Sequence, residues 1–116
     1  MKKEDFNILL IERLRAIEDV LASKRGEYAP GEDVFANFKK AVGISFHDCP
    51  EQVAWEYMTK HLQSIKDMVK HVSIDGYNGY PNKEILREKV GDAINYLLLI
   101  ELMIVERIRQ GNPYNE

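Results

Sequence analysis

Apolar residues return at three- and four-residue intervals along most of the chain, the spacing of helices that bury one face. The first such stretch runs from about Glu4 to Lys24 and carries Phe6, Leu9, Leu10, Leu14, Ile17 and Leu21. Gly26 and then Pro30-Gly31 interrupt it and predict a loop. A short helix is expected from about Glu32 to Val42, with Val34, Phe35, Phe38, Ala41 and Val42 as its apolar face and Gly43 as its stop. Asp48-Cys49-Pro50-Glu51 reads as a third helix start, because proline is tolerated at the first helical position. That helix should reach about His71 or Val72, with Trp55, Met58, Leu62, Ile65, Met68, Val69 and Val72 as its buried stripe.

Ser73 to Asn82 is rich in glycine, asparagine and aromatics and predicts an irregular loop. Asn82 is placed to cap a fourth helix that runs to about Gln110 and ends at Gly111-Asn112-Pro113. No segment reads as a strand. Short connections between long amphipathic helices predict an all-α, antiparallel bundle of about four helices, one domain over residues 1–116. The last helix is apolar nearly all round from Leu97 to Val105, broken only by Glu101. One bundle face does not require so much, so a homo-oligomer assembled through this helix is expected.

With 116 residues, the chain is large enough to bury roughly two-thirds of its unfolded surface. A net charge of -3 supplies no basic footprint and argues against nucleic acid as partner. Cys49 is the single cysteine, which removes an intrachain disulfide and a multi-cysteine zinc site. The N-terminal Met-Lys-Lys-Glu-Asp-Phe is too acidic for a signal peptide, and the apolar run of the last helix is about half the roughly 20 residues a bilayer crossing needs. A soluble, cytoplasmic protein without membrane contact is the expectation.

Candidate chemistry collects on the fourth helix. Glu88 and Asp92 are one turn apart on one face, and Asn95 and Tyr96 continue it by another turn. Paired carboxylates are what a hard divalent cation such as Mg²⁺ takes, usually one or two together with phosphates and water. The alternative is that Glu84, Glu88 and Asp92 are solvated acids favoured by the helix dipole. Gly91 costs about 1 kcal/mol within a helix and signals close approach of a helix or ligand. Lys24, Arg25 and Tyr28 at the exit of the first helix suit a phosphate and a stacked base, or equally a dipole-compensating last turn. On the third helix, Lys60, Gln63, Ser64 and Asp67 share a face with His61 beside them. Lys60 suits either phosphate or an ion pair with Glu56, and Asp67 a third metal position. His61 and His71 have no second histidine or cysteine at i+4, which argues against zinc, and Cys49 has no visible histidine partner for thiol chemistry. Tyr77 and Tyr80 suit a lid over a base, or simple packing.

The ordered segments Lys24-Arg25-Gly-Glu27-Tyr28-Ala, Glu32-Asp33-Val-Phe-Ala-Asn37-Phe38, Pro50-Glu51-Gln-Val53-Ala54, Met58, Lys60 and Glu88-Lys-Val-Gly-Asp92-Ala-Ile-Asn95-Tyr96 carry a resemblance over about Leu21 to Glu106. The chain resembles small phage and prophage proteins related to MazG-like all-α nucleoside triphosphate pyrophosphohydrolases. In those enzymes a Glu-x-x-Glu and a Glu-x-x-Asp on successive helices hold Mg²⁺ against the triphosphate. Here Asp92 stands at the aspartate of the second motif, but Lys89 occupies the preceding glutamate position, and the third helix has no Glu-x-x-Glu. The resemblance implies a nucleoside phosphate ligand, with Mg²⁺ on Glu88, Asp92 and Asp67. It assigns phosphate to Lys60, Lys24 and Arg25, and sugar or base to Tyr28, Asn37 and Asn95. Hydrolysis of a (d)NTP to monophosphate and pyrophosphate, with Asp92 and Glu88 catalytic, is one implied activity. The alternative is a non-catalytic helical oligomer, a phage accessory, regulatory or nucleotide-sequestering protein. A phage origin would place it in the host cytoplasm.

Overall fold

A computed structural model of the chain describes residues 1–28, 30–75 and 81–111, excepting the side chains of 73–75. Four helices make up the regular structure: α1 (Lys3–Gly26), α2 (Ala36–Val42), α3 (Pro50–Asp75) and α4 (Lys83–Gly111). No strand occurs among the described residues, and the fold is an all-α helical bundle. None of these helices is long and apolar enough to cross a membrane. Tyr77, Tyr80, Asn112 and Pro113 lie outside the described residues.

The chain divides into two compact units, Met1–Val34 and Phe35–Glu116. The first unit is essentially α1. Glu4 and Asp5 in its first turn and Lys24 and Arg25 in its last turn oppose the helix dipole. The expected apolar stripe is not enclosed: α1 has no buried residue, and Phe6 and Leu14 are each 56% exposed. Past the helix, Gly31 takes a φ of 86°, a left-handed conformation that favours glycine.

The second unit contains the packed core. The second helix begins at Ala36 rather than near Glu32, with Phe35 in a non-helical conformation (φ -101°, ψ 9°) at its N-cap and no side-chain cap. Phe35 and Phe38 are nevertheless buried. At the start of α3 the Gln52 side chain accepts the Asp48 backbone N–H at 2.8 Å, closing the turn in front of Pro50. The helix runs on to Asp75, past the expected stop near Val72. Asn82 caps α4 as its sequence position predicts, its Oδ1 accepting the N–H groups of Glu84 (2.8 Å) and Ile85 (3.2 Å).

α3 packs against α4 and also carries α2. The α3–α4 pair is antiparallel, because contacts climb one helix as they descend the other: Glu51 meets Arg107, Tyr57 meets Tyr96 and His61 meets Asp92. The core is Phe35, Phe38, Val53, Ala54, Met58, Ala93, Leu99 and Met103. The buried face of α3 is therefore turned from the expected stripe. Met58 is enclosed, but Trp55, Leu62, Val69 and Val72 are exposed. The physical reason is the small residues: Ala54 on α3 and Gly91 and Ala93 on α4 are all buried, and small side chains let backbones approach closely. Across α4 from Leu99 and Met103, Leu97, Ile104 and Ile108 form an exposed stripe at i, i+7 and i+11.

Candidate functional site

The antiparallel register sets a small polar cluster into the α3–α4 seam. Asp92, Asn95 and Tyr96 come from one α4 face, and α3 brings Tyr57 against Tyr96 and His61 against Asp92 and Tyr96. His61 Nδ1 lies 3.6 Å from Asp92 Oδ2. That exceeds the usual 2.7–3.2 Å of a hydrogen bond. The His61 ring stacks on Tyr96 at 5.7 Å between centroids and 27° between planes. Tyr96 in turn meets Tyr57 edge-on at 6.4 Å, and Tyr57 leans on Phe38 at 6.3 Å. This aromatic row fixes the imidazole plane and ties the cluster to the core.

Two polar atoms here have no hydrogen-bond partner although solvent does not reach them: His61 Nδ1 and Asn95 Oδ1. Leaving a buried donor or acceptor unsatisfied costs about 1–3 kcal/mol. Asp92 beside them keeps 40% of its side chain exposed, so the cluster opens to solvent on its carboxylate side. Burial raises the Tyr96 phenol above its ordinary value of 10.0, and the Asp92 charge and Tyr57 push it the same way. Tyr96 is thus a neutral hydrogen-bonding group at any physiological pH. The seam can accept a polar ligand group or ion through a carboxylate, an amide oxygen and an imidazole nitrogen.

The other residues singled out in the sequence stand variously to this cluster. Glu88 is exposed one turn before Asp92. Lys60 and Asp67 share an exposed face of α3, turned by about 100° from His61 at helical periodicity. The Asp67 carboxylate accepts Gln63 Nε2 at 3.0 Å, and Asp67 lies six residues, about 9 Å of helix rise, beyond His61. Glu56 engages His47 at 2.5 Å. Asn37 is in the first turn of α2 and exposed. Lys24, Arg25 and Tyr28 belong to the first unit, where the chain leaves α1 with Glu27 N–H donating to Lys24 and Tyr28 N–H to Arg25. An open hollow of about 430 Å³ beside α1 is lined by Asp19, Val20, Ser23, Lys24 and Glu27. A second of similar size is lined by Phe35, Leu102, Val105, Glu106, Arg109 and Gln110, so neither hollow includes Asp92.

Among the described residues no three of His, Cys, Asp and Glu are grouped to hold a metal. Asp67 therefore does not complete a protein-only cage with Glu88 and Asp92. Glu88 and Asp92 remain as two carboxylates one turn apart on α4. His61 is the site residue that helical spacing alone underrates. Its signal was the heptad Ala54, His61, Met68, which puts the imidazole on the same side as the fully enclosed Ala54.

Comparison of the chain with protein-family models, with curated proteins and with solved structures finds no match.

Proposed function

We propose that the chain binds a nucleoside phosphate at the α3–α4 seam around Asp92. The carrying observation is a pair of solvent-inaccessible atoms without a hydrogen-bond partner, His61 Nδ1, which lies 3.6 Å from the half-exposed Asp92 carboxylate, and Asn95 Oδ1, one turn beyond Asp92 on α4. A ligand that supplies a donor to Asn95 Oδ1 and a cation or donor to His61 Nδ1 beside Asp92 relieves both deficits. The nucleotide identity of that ligand rests on the resemblance to MazG-like proteins. On that reading Glu88 and Asp92 hold a divalent cation, Mg²⁺ by the resemblance, against the phosphates. Asn95 would orient sugar or base, and by the resemblance Asn37 is assigned the same role and Lys60 is assigned to phosphate. A bound cation supplies charge stabilisation and an acidified water, the requirements of (d)NTP hydrolysis to monophosphate and pyrophosphate. The chain's own contribution is to present Asp92 at the mouth of the seam and to keep Tyr96 neutral beside it.

The test is a thermal-shift and pyrophosphate-release panel of (d)NTPs and (d)NMPs with Mg²⁺, run on the wild type, Asp92→Asn and Asn95→Ala. Stabilisation by a nucleotide that both variants lose supports binding at the seam, and pyrophosphate release lost in Asp92→Asn adds hydrolysis. A wild-type chain indifferent to every nucleotide refutes the reading.

A second reading is favoured by a separate observation, the exposed stripe Leu97, Ile104 and Ile108 on the outer face of α4. Apolar side chains repeated at this spacing are typical of a helix-pairing seam. On this reading the chain is a non-catalytic homo-oligomer, an accessory or regulatory protein that works by contact. Light scattering of the wild type against Leu97→Ser/Ile104→Ser checks it: an oligomer that becomes a folded monomer supports the seam, and an unchanged mass removes it.

A further inference from the structure

The geometry points to His61 as a metal ligand, making His61 and Asp92 a mixed nitrogen–oxygen chelate for a first-row transition-metal dication rather than for Mg²⁺. This rests on the reading above that Asp92 meets a cation, and it names the class of that cation. Two ligand atoms about 2.1 Å from one ion stand about 3.0 Å apart at an octahedral right angle and about 3.4 Å apart at a tetrahedral angle. His61 Nδ1 and Asp92 Oδ2 are 3.6 Å apart, too far for a good hydrogen bond and within a few tenths of an ångström of the tetrahedral spacing. Nδ1 makes no hydrogen bond and has no solvent access, so in the Nε2–H tautomer its lone pair is available to an ion that enters from the exposed Asp92 side.

The ring is also held in place. Stacking on Tyr96 fixes the imidazole plane, and Tyr96 is itself braced by Tyr57. A ligand whose orientation is set before metal arrives binds more tightly than one that must be ordered. The chemistry of the donors decides the metal. Mg²⁺ takes oxygen, whereas imidazole suits the later first-row dications, whose affinities rise from Mn²⁺ through Co²⁺ to Cu²⁺. With two protein ligands, water or ligand phosphate fills the remaining positions, in keeping with the lack of a three-residue cluster among the described residues.

The probe is Co²⁺ alone, titrated into the metal-stripped full chain by calorimetry and by its visible absorption, with Mg²⁺ in parallel. One Co²⁺ per chain is expected, bound at least tenfold more tightly than Mg²⁺. His61→Gln and Asp92→Asn should each weaken Co²⁺ by at least tenfold, while His61→Gln leaves the weak Mg²⁺ binding unchanged. Equal Co²⁺ affinity in His61→Gln, no Co²⁺ binding, or Mg²⁺ bound as tightly as Co²⁺ would overturn the assignment. Should His61→Gln unfold, imidazole NMR of the wild type with sparing Mn²⁺ decides. Broadening of His61 before His47 and His71 supports the chelate, and uniform or absent broadening refutes it. Nucleotide binding without a Co²⁺ site would remove this inference alone. A Co²⁺ site with no nucleotide response would leave it standing while the nucleotide reading fell.

Discussion

Replacing Val53 and, separately, Val69 by alanine makes the same deletion at two points of one helix. Val53 is 1% exposed and Val69 64% exposed. Truncation removes two methyl groups, about 1.6 kcal/mol of transfer free energy when both are fully buried, at about 0.8 kcal/mol each. At Val53 a residual cavity raises the loss to roughly 2 kcal/mol. At Val69 only about a third of the transfer value applies, roughly 0.5 kcal/mol. Alanine is the better helix former by about 0.6 kcal/mol, and that gain is common to both sites. The expected outcome is that Val69→Ala is nearly neutral and Val53→Ala costs about 1.5 kcal/mol, a gap of about 6–12 °C in Tm for a unit of this size. Thermal melts followed by far-UV circular dichroism measure it, with urea titrations to confirm that m is unchanged. Equal losses at the two sites, or a larger loss at Val69, would show that α3 packs through its bulky stripe and that the buried face assigned here is wrong.

Asn82→Ala should lower stability by about 1 kcal/mol, because two α4 backbone N–H groups lose their acceptor, whereas Asn82→Asp should retain most of it; urea midpoints compare them. Burial alone would raise the Glu51 carboxyl, but hydrogen bonds from Arg107, Cys49 and its own amide, with the Arg107 charge, hold it below the usual 4.5. A lowered folded-state value means the pair stabilises above that usual value and the contribution is lost as pH falls through the folded one. Arg107→Gln should therefore narrow the difference in urea midpoint between pH 7 and pH 3 relative to wild type. The Tyr96 phenol, raised first by burial and then by Asp92, should titrate above its ordinary value of 10.0. Its stabilising effect is complete below pH 10 and is lost as pH rises through the folded value. Asp92→Asn should bring that titration partly back, as followed by ¹³C NMR of labelled tyrosine with Tyr96→Phe for assignment; a Tyr96 that ionises with free tyrosine refutes the burial.

Helix existence and most of the ends were legible because their signals are local. Pro50 opens α3, Asn82 caps α4, and both act within a few residues of themselves. The face that α3 buries was not, because periodicity weighs Trp55, Leu62 and Val69 heavily and gives Ala54 and Ala93 little weight. Close approach of two backbones rewards the opposite choice. The short α2 begins late, with Phe35 at its N-cap in a non-helical conformation and no side-chain cap. Half of the seam was readable: Asp92, Asn95 and Tyr96 share a face by helical arithmetic alone. His61 enters from another helix, and the register between two helices is set by their packing, which no spacing within either one encodes.

Ala54, with no exposed surface, lies two turns from His61 on the same side of α3. Its methyl group acts as the gauge block between the two long helices. A bulkier residue there would prise them open like a lever and pull the imidazole away from the carboxylate, without touching either. In a saturation-mutagenesis map, ligand recognition should thus be lost at this inconspicuous alanine, while its neighbour, the tryptophan at 55, accepts wide variation.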